Sequence, residues 1–446
     1  MERPPQGRMV LRWRVGWRRA VSPQGQSPRR RRGRICMGGC ANPSRAAAWA
    51  AAVLVVASLG GCASDPAPEP EGKEYGRPLP PGTPALERVT DLAEIPDLRA
   101  TFATRELAIE ALDESLAYFG KPSSLTWFPY ATDDRSISHA DQVRTLELLR
   151  DALVNSATSD EFQGRCLMLF DFYRSRGWDG SGEVLYTAYC EPIFDGRRKA
   201  DARYMYPLYG LPTDLVKDAD GTPRGRRADN GHVVPYYTRG ELEANGHLDG
   251  LEIVYLKDPF EVYIAHVQGS ARVDLPTGDQ LCIGYAGKTD RPYSSVGLRL
   301  VEEGHISSSN LSLTTLKRYF RSNPGELNRV LPHNESYVFF VEREPGPFGS
   351  IGARVTPYHS VATDKSVFPR GGPCVVVARM PFADPDDPSG ITKRDTTQLA
   401  FDQDTGGAIR SAGRCDLFVG TGHEAELLAG HTRDEGQLFY LFVKPQ

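Results

Sequence analysis

A mainly β fold with some α-helix is what this chain predicts, and two observations carry that reading. Glycine and proline number 44 and 34 of 446 residues, many in short turns between apolar runs. That is the punctuation of hairpins, not of a helical bundle. Strand-like apolar runs then recur from about residue 183 to the end. The length suffices for two domains, and nothing in it resembles a solenoid repeat.

The first 62 residues differ in kind from the rest. They hold twelve arginines and one acid, then the apolar run 46–61 ending in Leu59-Gly60-Gly61-Cys62. The run is short for a membrane span; a charged start, a short apolar core and small residues before a cut read as a secretory signal peptide. The cysteine after Leu-Gly-Gly resembles a bacterial lipobox, which implies cleavage before Cys62 and lipidation of its thiol. Several acyl chains there would hold the protein on a membrane. The proportions of a signal peptide fit a start at Met37, so residues 1–61 are read as leader and signal peptide. The absence of aspartate directly after Cys62 favours the outer membrane of a bacterial envelope, with the protein facing the periplasm. The arginine run 29–34 also reads as a basic nucleic-acid tail, but nothing downstream supports it.

Residues 62–85 carry prolines at 66, 68, 70, 78, 80, 81 and 84 among acids and glycines, a composition that predicts an extended linker without a core. Helical periodicity follows over 105–119 and 140–156. The second stretch puts Leu146, Leu148, Leu149, Leu153 and Val154 on one side, with Ser138 and Asp141 as its start signal. Strands are expected at 184–186, 251–255 and 260–267. Residues 272–285 read as a hairpin turning at 276–279, with Leu281, Ile283 and Tyr285 on one face. A helix over 312–322 stops before Pro324, and strands return at 374–378, 398–401, 417–420 and 437–443.

Without its first 62 residues the chain keeps 41 of 53 basic and 56 of 57 acidic residues, a net charge near −15. Nucleic acid is therefore excluded as a ligand class, since binding it rests on phosphate neutralisation. Five cysteines remain beyond Cys62, at 166, 190, 282, 374 and 415. Scattered and odd in number, with no Cys-x-x-Cys pair, they read as buried thiols and give no zinc signal. There is no phosphate loop, no dinucleotide-binding Gly-x-Gly-x-x-Gly and no Gly-x-Ser-x-Gly elbow. His423-Glu424 lacks a second histidine because position 427 is leucine. No metal or cofactor is called for; what remains is acid chemistry.

That chemistry points to the last fifty residues. Asp404 lies in Gln403-Asp-Thr-Gly-Gly-Ala-Ile409 and Asp416 in Cys415-Asp-Leu-Phe-Val-Gly420. A carboxylate held among apolar residues and glycines is desolvated, its pKa rises, and it can stay protonated as an acid. The competing reading of Asp-Thr-Gly-Gly is a turn in which the side chain bonds its own backbone. Asp416 divides between a buried structural acid and a catalytic one.

These two segments, with Gly422-x-Glu-Ala425 and Ala429-Gly430, resemble the three-aspartate (3D) domain that ends the membrane-bound lytic murein transglycosylase A family. Ser360-Val-Ala-Thr-Asp364 supplies the first of the three aspartates. Tyr189-Cys-Glu-Pro192, Tyr206-Pro-Leu-Tyr209, Pro212-x-Asp-Leu215, Val267-Gln-Gly-Ser270, Gly284-Tyr-Ala-Gly-Lys288, Pro292-Tyr-x-Ser-x-Gly297 and Asn334-x-Ser-Tyr-Val-Phe-Phe340 are similar to family segments in the same order. The chain departs from the pattern at Ala188 for glycine, Cys190 for tyrosine, Ala271 for glycine, and Arg410-Ser411 for Lys-Gly.

The resemblance implies a double-psi β-barrel domain at 86–192 and 346–446. It is interrupted at 193–345 by a second β-rich, barrel-like domain, with the substrate groove between them. It implies a peptidoglycan lytic exotransglycosylase that cuts the β-1,4 bond from N-acetylmuramic acid to N-acetylglucosamine and leaves 1,6-anhydro ends. Asp416 would be the single acid and base. Asp404 and Asp364 would position substrate, Asp364 alternatively fixing its loop. Thr187, Tyr189, Glu191, Gln268, Gly269, Ser270, Tyr285 and Lys288 are the implied groove residues, with core packing the alternative for Tyr189 and Tyr285. The expected partners are glycan strands and a membrane. The competing functions are a hydrolytic muramidase and a noncatalytic, expansin-like wall-binding protein.

Overall fold

The computed structural model describes residues 73–218, 221–307, 311–387 and 390–445. The leader, the lipobox and Cys62 lie outside the described residues. Helices α1 (Arg105–Phe119), α2 (His139–Asn155) and α3 (Ser159–Leu169) come first. The start of α2 is fixed as expected: the Ser138 hydroxyl accepts from the Asp141 N–H at 3.0 Å, and the Asp141 carboxylate accepts from the Ser138 N–H at 2.9 Å. Leu146, Leu149 and Leu153 are buried, whereas Val154 faces outward and is 49% exposed.

Strands β1 (Phe170–Ser175) and β2 (Val184–Glu191) lead into an inserted unit, and the chain returns to β2's sheet much later. The insert holds β3 (Ile193–Arg197), β4 (Tyr206–Tyr209), β5 (Glu252–Leu256), α4 (Pro259–Gln268), β6 (Ser270–Asp274), β7 (Gln280–Lys288), α5 (Leu313–Ser322) and β8 (Val338–Glu342). Its strands pair in the order β8-β7-β6-β3-β5-β4. A bridge from Gly210, just after β4, to Phe340 in β8 brings the two edges together. Phe260, Ile264, Val273, Ile283, Leu300 and Phe340 fill its separate core.

The returning chain adds β9 (Ser360–Ala362), β10 (Pro373–Ala383), β11 (Ile391–Asp404), β12 (Arg414–Thr421), α6 (His423–His431) and β13 (Arg433–Val443). The order β13-β10-β11-β9-β12-β2 closes through β2 pairing with β13, giving a six-stranded barrel. Closure needs no exposed edge. Period-2 alternation assigns its two faces. Tyr186, Cys190, Val361, Cys374, Val376, Cys415, Leu417, Val419, Leu438 and Tyr440 point in. Val375, Leu399, Phe401, Phe439 and Leu441 point out and are covered by α1, α2 and α3. The molecule is thus mainly β with some helix, a double-psi barrel with a second barrel-like domain inserted, and a groove between them. All five described cysteines are free and buried. Among the described residues no helix is long and apolar enough to cross a membrane.

Two expectations are corrected. The segment 260–267, read as a strand, is helix α4. Asp258 caps it by accepting from the Phe260 N–H at 2.8 Å, Pro259 occupies its first turn, and Gly269 ends it in the left-handed region at φ 76°. Phe260 and every residue from Val262 to His266 are buried, so no polar face marks the helical period in the sequence. The second correction concerns 62–85, of which residues 73–85 are described. They lie against the barrel and do not hang free. Lys73 pairs with Glu183 and Glu435, Tyr75 packs its ring edge-on to Trp178, and the Arg77 guanidinium sits 5.0 Å from the Trp178 ring centre. Proline prevents the segment from forming its own core, but an extended chain with an aromatic and two cations can dock on one. Helices α3 and α6 and strand β1 were not foreseen.

Candidate active site

Strand register brings the three aspartates together. β9 runs antiparallel to β12 with Ala362 opposite Asp416, and parallel to β11 with Ala362 opposite Asp404. The two acids therefore flank one short strand, which leads within two residues to Asp364. A bulge in β11 decides which way they face. Val361 pairs with Asp402 but Ala362 pairs with Asp404, so Gln403 is the extra residue. Asp402 consequently turns into the barrel and Asp404 out of it. Gln403 is itself fully buried and tied down: its amide donates to the Ala111 carbonyl at 2.6 Å and to Ser115 Oγ at 2.9 Å in α1, and its carbonyl accepts from Ser360 Oγ at 2.6 Å.

The parallel pairing of β12 with β2 sets Asp416 beside Thr187 and Phe418 beside Tyr189. Because Cys415 and Leu417 point inward, Arg414 and Asp416 point outward, with Thr187, Tyr189 and Glu191 on the same face. Thr187 Oγ1 donates to Asp416 Oδ1 at 2.7 Å and accepts from an Arg414 guanidinium nitrogen at 3.1 Å. Asp416 is half-buried. Desolvation pushes its pKa up to about 6, against the lowering effects of the Thr187 hydrogen bond and the Arg414 charge and with a further raise from Asp404.

Asp404 is also half-buried, and desolvation raises its carboxyl above the usual range. Its Oδ1 accepts from the Ser350 and Thr405 N–H groups, both at 2.8 Å. Asp404 thus bonds the backbone of its neighbour and of a distant loop from the same position. Tyr189 lies beside it: its hydroxyl is buried without a hydrogen-bond partner of good geometry, and burial together with the Asp404 charge drives its pKa far up.

Asp364 behaves differently. Burial alone would raise its carboxyl, but Oδ1 accepts from the Ser366 hydroxyl at 2.7 Å and N–H at 2.9 Å, and Oδ2 from the Ser411 N–H at 2.7 Å, so the net shift is downward. All of these bonds fasten loops. Ser411 sits at φ 65°, the left-handed conformation that glycine adopts without cost, and Asp364 holds it there. Glu191, 2% exposed, is closed off between the barrels: its Oε2 accepts from Arg272 Nε at 2.6 Å and Thr421 Oγ1 at 3.1 Å.

From the insert, Gln268 ends α4 with a buried, unpartnered Oε1 and lines a small cavity with Tyr293 and Ser295. Gly269 is the helix cap and Ser270 opens β6. Tyr285 is 44% exposed. Lys288 ends β7 half-buried, its ammonium pushed down by burial and then by Arg410 from the barrel. Tyr293 comes within 3.6 Å of the place a Cβ on Gly407 would occupy, so the insert faces the loop between Asp404 and Asp416. Beneath that loop lies a pair the sequence did not reveal. Lys365, whose side chain is 4% exposed, binds the fully buried Asp402, which also accepts from Thr363 Oγ1 at 2.7 Å and Tyr440 Oη at 2.8 Å. Arg414 was missed as well, although counting back two from Asp416 places it on the same face.

Residues 185–341 match the family described as the MltA specific insert domain, and residues 359–442 the 3D domain. A Vibrio cholerae protein named membrane-bound lytic murein transglycosylase A is 34% identical over 271 residues, 59% of this chain and 67% of the relative. The chain belongs to that family. An Escherichia coli membrane-bound lytic murein transglycosylase A is 28% identical over 281 residues, covering 62% of this chain and 70% of the relative. Among solved structures, the membrane-bound lytic murein transglycosylase from Agrobacterium tumefaciens superimposes with a TM-score of 0.63 at 26% identity, over 80% of this chain and 98% of that one. Escherichia coli MltA with bound chitohexaose shares the fold at a TM-score of 0.61 and 21% identity, over 86% of this chain and 100% of that one. In this member of the lytic murein transglycosylase A family, the insert and 3D segments are the two walls that meet at Tyr293 and Gly407.

Proposed function

We propose that the protein is a lytic transglycosylase that cleaves the β-1,4 bond between N-acetylmuramic acid and N-acetylglucosamine in peptidoglycan and forms 1,6-anhydromuramic acid ends. The observation that carries this reading is the half-buried Asp416, with a pKa near 6, on the barrel face turned to the insert. Such a group is protonated often enough to give a proton and basic enough to take one back. Asp416 protonates the glycosidic oxygen as the C1–O bond breaks. The carboxylate then accepts the proton of the C6 hydroxyl as that oxygen bonds to C1, which regenerates the acid and consumes no water. The intramolecular hydroxyl has an effective concentration far above that of an external nucleophile. A second carboxylate serving as nucleophile or base, which a hydrolase needs, is therefore dispensable.

Asp404, fixed by two backbone N–H groups, orients substrate beside it. Asp364 secures the loop. Thr187, Tyr189, Gln268, Gly269, Ser270, Tyr285 and Lys288 border the groove, while Glu191 braces its floor. The relatives' names and the chitohexaose bound to one fold relative support a glycan strand as ligand. Residues 86–192 with 346–446 and residues 193–345 are the two domains, and lipid on Cys62 anchors them to the outer membrane after removal of a leader starting at Met37.

Mass spectrometry of peptidoglycan digests tests the proposal. Release of anhydro-ended muropeptides is expected, with Asp416→Asn losing at least about a hundredfold in kcat while retaining peptidoglycan binding. Reducing ends would make the enzyme a muramidase, and no release would make it a binder.

A further inference from the structure

We propose that Arg414 is a positioning residue that acts through Thr187 to decide which oxygen of Asp416 gives and takes the catalytic proton. The inference rests on Asp416 being the acid. Its ground is a donor count. A guanidinium has N–H donors and no acceptor, so at 3.1 Å from Thr187 Oγ1 it can only donate. Thr187 has one hydroxyl proton. Arg414 occupies one of the hydroxyl's two lone pairs and its charge repels that proton, which biases the proton along the 2.7 Å contact to Asp416 Oδ1. An oxygen that accepts a hydrogen bond is the poorer place for a proton, so the transferable proton sits on Oδ2, for which no protein donor is present among the described residues.

The arrangement is built by the strands. Arg414 and Asp416 are alternate residues of β12, and Asp416 lies in parallel register with Thr187 on β2. Arg414 is half-buried, and its Nε has no hydrogen-bond partner. Without Arg414, the Thr187 hydroxyl could rotate and accept a proton from Asp416 instead, leaving the acid's proton directed into the strand and away from the groove. Removing Arg414 also removes a cation that favours the ionised carboxylate. The other groups on the outer face beside Asp416 are Asp404 on β11 and Tyr189 on β2, with the inward-pointing Cys190 and Cys415 behind the sheet within electrostatic reach; Arg433 on β13 and Tyr293 from the insert lie near Arg414.

The test is a cycle of Arg414→Met, Thr187→Val and the double variant. Each is assayed for anhydro-muropeptide release across pH, with thermal melts and peptidoglycan pull-down to confirm folding and binding. Arg414→Met is expected to lower kcat about tenfold at little change in KM, and to move the alkaline limb of the pH profile up by about one unit. Thr187→Val should lower kcat similarly, and the double variant should be no worse than Thr187→Val alone, because coupled residues do not add. Thr187→Ser, which keeps the hydroxyl, should restore most of the rate, and Arg414→Lys, another donor without acceptors, should restore the limb. Additive losses, an unmoved limb, or a Thr187→Ser variant as slow as Thr187→Val would overturn the relay. Should Asp416→Asn keep wild-type activity, it is the assignment of the acid that falls; additive losses with an inactive Asp416→Asn sink the relay alone.

Discussion

Asp416 and Asp404 share residue type, barrel face and an upward pKa shift, yet their hydrogen bonds separate them. Asp404 spends Oδ1 on two backbone amides, whereas Asp416 receives one hydroxyl and keeps the other oxygen for the groove. A half-buried acid lifted from 3.8 to about 6 also has a stability consequence. The folded state holds its proton more tightly than the unfolded state. The contribution is therefore fully present below pH 3.8 and is lost as pH rises through 6. Asp416→Asn should consequently stabilise the protein at pH 7 relative to wild type by about 1–2 kcal/mol, less than the roughly 3 kcal/mol of the full shift because solvent reaches the carboxylate. At pH 3.5 the gain should vanish. Thermal melts at the two pH values decide this, and an equal Tm difference at both would show that burial does not set the pKa.

At the scale of elements, the β11 bulge is what separates an aspartate inside the barrel from a candidate site aspartate two residues away on its outer face. Gln403 holds it by three buried hydrogen bonds to α1 and β9, which gives α1 a role beyond covering the barrel. Gln403→Ala leaves Ser115 and Ser360 short of partners and should cost about 2–4 kcal/mol in urea unfolding. It should also lower kcat/KM at least about tenfold by freeing Asp404. Loss of stability with unchanged kcat/KM would confine Gln403 to a structural role. The docked segment 73–85 is an element of the same neighbourhood: Arg77's carbonyl accepts from Ser411 Oγ, and a Cβ on Gly413 would meet the Tyr75 carbonyl at 2.5 Å. The chain that leads from the proposed lipid site thus rests on the loop just before Asp416.

For the whole molecule, the relation of the two barrels is the functional quantity, and the Glu191–Arg272 pair joins them. Arg272→Met strands a buried carboxylate and should cost about 3 kcal/mol, the lower end of the range for broken buried pairs because Arg272 is partly exposed. The loss should be larger at pH 8 than at pH 5, where Glu191, already pushed up by burial, can protonate. KM for peptidoglycan should rise as the groove loosens; chemical denaturation and steady-state kinetics at both pH values check this. Much of this molecule was legible beforehand. Apolar period, caps and turn residues marked helix 105–119, the start of α2, the hairpin about residue 277 and the last strands, because those signals are local. The two C-terminal aspartates stood out because glycine and apolar neighbours surround them in the chain itself. Three things were not legible. Helix α4 is buried on nearly every side and shows no period. The bulge at Gln403 is a property of a pairing between strands forty residues apart. The outward company of Asp416, namely Thr187 and Arg414, depends on a parallel register across an insertion of about 150 residues. The sequence by itself determined which acids stand among desolvating neighbours; only the tertiary structure gave them different surroundings, since Thr187 beside Asp416 and Ser350 beside Asp404 come from far along the chain.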